Sequence, residues 1–114
     1  MIKRLEKIFK ALADKNRLRI INMLSDKPMC VCEIRSVLQL SQSTVSGHLR
    51  ILKEADLVED KKEGLWVEYH LRQDHPEIAG IHLYVRQMLF QDPDATDERG
   101  QASAADRDQI TCKT

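Results

Sequence analysis

The apolar residues of this 114-residue chain change their spacing near residue 56 and change back at Pro76, and those changes limit the folds open to it. Before the first they recur at three- and four-residue intervals, the period of a helix with one buried face. Between the two they alternate, the period of a strand. Ile2, Leu5, Ile8, Phe9 and Leu12 predict a first helix. Asp14 is placed to cap a second, which carries Leu18, Ile20, Ile21 and Leu24 and ends at Asp26-Lys27-Pro28. A third helix is predicted over Val31–Leu38, with Ile34, Val37 and Leu38 inward, then a short connection, Gln39-Leu40-Ser41. The fourth covers about residues 42–55. Leu65, Val67, Tyr69 and Leu71 then alternate as a strand, preceded by a shorter one at 57–59, with 60–64 as the charged hairpin between them. Pro76 opens a fifth helix with Ile78, Ile81, Val85, Met88 and Leu89 on one stripe.

Helix pair plus hairpin predicts a mainly α fold with a β-hairpin wing, a winged helix-turn-helix. Residues 1–91 are expected to form the folded domain. Past Asp92-Pro93 the chain is small, polar and acidic, so 92–114 is expected to be a flexible tail. Apolar stripes at both ends of the folded part exceed what so small a core needs. They predict a homodimer through the first and last helices, here the first and fifth. No apolar run is long enough to span a bilayer, and the N-terminus lacks a signal-peptide pattern, so the expected location is the cytoplasm without a membrane partner.

Formal charge is zero, but it is unevenly placed: residues 1–90 hold fifteen Lys and Arg against twelve acids, and the tail is acidic. DNA binding depends on a local patch rather than on that sum. The segment 41–53 supplies one. On a helical projection Gln42, Ser43, Ser46, Gly47, Arg50 and Lys53 share one side, while Val45, Leu49 and Leu52 occupy the other. Short Ser and Gly side chains let a helix approach a groove closely. Gln42 and Ser43 sit at the N-terminal end, where recognition helices meet base edges, and Gln pairs bidentately with adenine. Arg50 and Lys53 suit phosphates, as do Lys61 and Lys62 in the hairpin. His48, at the edge of the apolar side, is expected to pack or hydrogen-bond rather than bind a ligand. No paired acid/base or Ser/His/Asp arrangement points to an enzyme.

The three cysteines are Cys30, Cys32 and Cys112. An odd number in a chain of this kind argues against a disulfide framework. Cys30 and Cys32 begin the third helix, where the helix dipole is expected to lower a thiol pKa, and soft thiolates favour thiophilic ions over Mg²⁺ or Ca²⁺. Side chains two residues apart diverge on a regular helix, so a shared ligand is expected to distort the first turn. A redox or persulfide response of the same pair is the competing reading.

Together Cys30-Val31-Cys32-Glu33-Ile34, Leu40-Ser41-Gln42-Ser43-Thr44-Val45-Ser46-Gly47-His48-Leu49 and Gly64-Leu65-Trp66-Val67-Glu68-Tyr69 resemble the ArsR family of metal-responsive repressors, in its arsenical-resistance branch, over about residues 2–90. The resemblance implies a homodimer that sits on double-stranded operator DNA and leaves when trivalent arsenic or antimony binds Cys30 and Cys32. Many such proteins have a third cysteine where this chain has Arg35, which leaves Cys112 as the candidate third ligand.

Overall fold

The computed structural model describes residues 1–108. Helices α1 (Ile2–Leu12) and α2 (Lys15–Leu24) lead into a two-residue strand β1 (Met29–Cys30). Helices α3 (Val31–Leu38) and α4 (Gln42–Glu54) follow, then strands β2 (Val58–Glu63) and β3 (Trp66–Leu71), and helices α5 (Pro76–Leu89) and α6 (Pro93–Ala104). Among the described residues no helix is long and apolar enough to cross a membrane.

Helices α2 and α4 start where the sequence supplies a partner for the orphan N–H groups. Asp14 accepts from the N–H groups of Asn16 and Arg17, and Ser41 accepts from that of Thr44. The connection between α3 and α4 turns through Gln39 in the left-handed region, φ 58°, a conformation common just past helix C-termini. That tight turn sets α4 across α3 as a helix-turn-helix pair. Ile20, Ile21, Met23, Ile34, Val45, Leu49, Leu52, Leu57 and Ile78 interlock beneath it as one core. Arg17 helps fix the angle. Its Nε donates to the Ala11 carbonyl, and its Nη1 lies 3.3 Å from Nδ1 of half-buried His48. His48 thus serves to join α4 to α2.

The antiparallel sheet runs β1-β3-β2, with Cys30 opposite Glu68 and Lys61 also opposite Glu68 on the other side. The wing departs from the sequence expectation. The charged residues 60–63 are not a loop but the body of β2, and the turn is only Gly64-Leu65. Gly64 takes φ +61°, which suits a residue without a β-carbon, and this allows the two-residue closure. Lys61 and Lys62 therefore lie along the strand, opposite Glu68 and Val67, rather than at the hairpin tip.

The larger departure follows residue 92. Instead of a tail, Pro93–Ala104 is a helix with Asp92 as its cap and Pro93 in its first turn. It docks through small and polar groups rather than an apolar stripe. Ala95 and Ala102 are buried. Asn22, itself buried in α2, donates to the Ala95 carbonyl at 3.0 Å and accepts from Arg99 at 2.8 Å. Arg19 pairs with Glu98 at 2.7 Å. Amide and guanidinium partners replace the hydrophobic periodicity that would have marked this helix in the sequence.

Candidate nucleic-acid interface and thiol turn

The polar and apolar sides of α4 separate as the sequence predicts. Val45, Leu49 and Leu52 are fully buried, while Ser43, Ser46, Arg50 and Lys53 are exposed and Gln42 is half-buried. Because three core contacts fix the helix's rotation about its axis, the opposite side is presented to solvent as one strip. Ser41 also bonds to the Thr44 and Ser43 hydroxyls, at 2.8 and 3.2 Å, which orders the N-terminal turn that carries Gln42 and Ser43.

The predicted cations differ in availability. Lys53 reaches across to β2 and pairs with Asp60 at 2.9 Å. The hydrogen bond from Lys53 holds the Asp60 carboxyl below its ordinary range, and the same contact raises the Lys53 ammonium. Lys61 is engaged by Glu63 at 3.0 Å. Arg50 and Lys62 have no carboxylate partner among the described residues. A phosphate would have to displace Asp60 or Glu63 to use the first two, and would meet Arg50 and Lys62 unopposed.

The thiol turn is built differently from the sequence expectation. Cys30 is not inside the helix. It is the last residue of β1 and the cap of α3, with extended backbone (φ −87°, ψ 165°), and only Cys32 lies in the helical turn. The strain of bringing both sulfurs to one atom therefore falls on a strand-to-helix junction. Both side chains are buried. Cys30 is a free thiol. Cys112 lies outside the described residues. Among those residues no group of three or more His, Cys, Asp or Glu side chains is placed to hold a metal ion.

Nor is the Cys30 thiol acidified. Burial pushes its pKa up, and the adjacent Glu33 carboxylate pushes the same way, against the N–H groups of Glu33 and Cys32. Desolvation outweighs the helix dipole here. Glu33 is the functional neighbour that sequence reasoning missed. Buried in α3, it accepts from the Cys30 N–H at 2.9 Å and lies 3.9 Å from Lys27. Its position three residues after the cap is that of a capping box, with cysteine in place of the usual Ser or Thr.

Residues 14–60 match the family described as "Bacterial regulatory protein, arsR family". The chain is 42% identical over 73 residues to the arsenical resistance operon repressor of Escherichia coli (strain K12), covering 63% of this chain and 62% of that one. The match therefore spans about three-fifths of that repressor's length. It is 35% identical over 82 residues to the arsenical resistance operon repressor of Bacillus subtilis (strain 168), covering 71% of this chain and 76% of the relative. Among solved structures it resembles a homodimeric winged helix-turn-helix DNA-binding domain from Mycobacterium bovis. There the TM-score is 0.68 with 25% identity, covering 81% of this chain and 83% of that one.

Proposed function

The chain belongs to the ArsR family of bacterial regulatory proteins, and on that premise we propose that it is a homodimeric repressor of an arsenical-resistance operon. It holds operator DNA through α4 and the wing, and releases it when trivalent arsenic or antimony is taken up by the reduced thiolates of Cys30 and Cys32. The observation that carries the DNA reading is the α4 strip. Gln42, Ser43, Ser46 and Arg50 face solvent together because Val45, Leu49 and Leu52 are locked in the core. Gln42 and Ser43 would read base edges; Arg50 and Lys62 would meet phosphates, with Lys53 and Lys61 recruited only by giving up their carboxylates.

The arsenic reading is supported by the donor chemistry and by the relatives. Two adjacent sulfurs suit a thiophilic ion. The similar proteins of Escherichia coli and Bacillus subtilis are named arsenical resistance operon repressors. The junction position of the pair supplies a mechanism. Drawing Cys30 toward Cys32 would move the start of α3, the helix against which α4 packs, and the α4 strip would lose its alignment. By linkage, bound DNA would then weaken inducer binding by the same factor.

Gel shifts of the reduced protein with the DNA upstream of its own gene, with and without arsenite, test both halves. Retention by the wild type without arsenite and release with it is expected. The Cys30→Ser/Cys32→Ser variant should stay bound in both conditions. Release of the double variant by arsenite would sink the inducer site, and failure of the reduced wild type to bind that DNA would sink the repressor reading for this operator. Release by peroxide but not by arsenite would instead select a thiol-redox or persulfide response of the same pair.

A further inference from the structure

We propose that the C-terminal end of α6 and the residues after it form a clasp that ties the thiol turn to the wing and must open before the two thiols are reached. The proposal deepens the inducer-site reading above and rests on it for its biological purpose. It starts from three linked contacts. First, Lys27, just before the thiol turn, donates from Nζ to the Ala105 carbonyl at 2.9 Å and the Ser103 carbonyl at 3.4 Å, at the negative end of α6. Second, the same ammonium lies 3.9 Å from Glu33, whose other oxygen accepts the Cys30 N–H. Third, the chain continues from Ala105 to Arg107, which crosses to β3, pairs with Glu68 at 3.0 Å and stacks 5.5 Å from the Trp66 ring centre. Glu68 is the strand partner of Cys30. The clasp therefore meets the thiol turn from both sides.

Between these groups lies a polar cleft of about 440 Å³ lined by Lys27, Glu33, Glu68, Asp106 and Arg107 among others. It is large enough for a small neutral oxyacid and lies beside the turn that holds the buried sulfurs. The Arg107–Glu68 end is a half-exposed ion pair, and at the other end the partly exposed Lys27 ammonium holds backbone carbonyls above buried Glu33, whereas the anchor at Asn22, Ala95 and Ala102 is buried throughout. Opening would pivot on that anchor and free Glu68 and Glu33 together.

The test uses the full chain, reduced beforehand and then freed of reductant, and a neutral thiol probe, 4,4′-dithiodipyridine. Labelling at Cys30 and Cys32 is located by mass spectrometry, and Trp66, the one tryptophan, reports the wing end by its emission. Arg107→Gln and Lys27→Met should each speed labelling of the pair about two- to five-fold, the size expected from losing a half-exposed ion pair. In the wild type, labelling should depend only weakly on urea, as local opening does. Arg107→Gln should also shift the Trp66 emission. Labelling rates unchanged in both Arg107→Gln and Lys27→Met, an unshifted emission in Arg107→Gln, or a steep urea dependence shared by all variants would each overturn the clasp. Arsenite forms a separate arm. Faster probe labelling in chains that take up no arsenite would support the clasp and overturn the inducer assignment.

Discussion

Two buried groups set how this molecule should answer to pH. His82, on α5, lies 2.8 Å from the Leu57 carbonyl, which can only accept, so Nε2 carries a proton. Burial holds its pKa below the ordinary 6.5, outweighing the carbonyl. The unfolded chain therefore binds a proton at a higher pH than the folded one. The contribution of His82 is full above about pH 6.5 and is lost as pH falls through the lower folded value. His82→Gln keeps a donor for Leu57 without a titrating ring. Urea midpoints at about pH 7 and about pH 5 should show a smaller acid loss in the variant than in the wild type. Equal losses would mean that the ring does not set the acid slope. Cys30 works on the opposite side. Its thiol holds its proton past the ordinary 9.0, so its contribution is full below that value and lost as pH rises through the folded one. The reduced wild type should lose more stability than Cys30→Ser between about pH 8 and about pH 10. Arsenite uptake should likewise keep quickening through that range, because the thiolate is scarce at neutral pH.

At the scale of elements, α4 and the wing make separable contributions. Ser41→Ala removes the cap on Thr44 and should lower the stability of the fold by about 1 kcal/mol, read from urea melts. Leu49→Ala, under the same helix, should cost about 2–5 kcal/mol. On the exposed side the two unopposed cations should matter most. Arg50→Ala or Lys62→Ala should each weaken operator binding and reduce the salt slope by about one unit. Lys61→Ala should do less, because Glu63 already holds its charge. A larger slope change from Lys61 than from Lys62 would reverse this ranking. The order of these elements was legible because long helices with one buried face write their period into the sequence. The bounds of α3, the cap at Asp14 and the buried set on α4 follow from that period and from side chains that bond their own backbone. What escaped was structure without such a signature. Strand β1 is two residues long and exists only because β3 pairs with it. Strand β2 carries Asp60, Lys61, Lys62 and Glu63 because both of its faces meet polar partners, so charge there did not mean loop. Helix α6 docks through two buried alanines and an arginine where a periodic apolar stripe was sought. Only Asp92-Pro93 marked its beginning. At the thiol turn the cysteine spacing was plain, but burial and the Glu33 carboxylate, which decide the acidity of Cys30, come from the tertiary structure.

The whole molecule leaves more apolar surface than one copy can cover. Ile2, Leu5 and Phe9 on α1 and Leu83, Tyr84 and Met88 on α5 are exposed, although each helix buries residues of its other face. Single exposed apolar residues are ordinary. Groups of them on two helices at the ends of the family's core are what a subunit interface requires. Pairing there would set two α4 strips in one particle, and a helix-turn-helix needs two to read half-sites a helical turn of DNA apart. Helix α6 bears on this geometry, since it packs on α2 and α3 and leaves α5 uncovered on the side of Leu83 and Tyr84. Leu83→Glu places a charge on that face without touching the core, the thiols or α4. Light scattering after size exclusion should then find monomers at concentrations where the wild type is a dimer. Operator affinity should fall by far more than the loss of one contact explains, because each half-site must now be bound alone. The circular dichroism of the variant should match that of the wild type. A Leu83→Glu chain that remains dimeric and binds operator normally would move the interface away from α5.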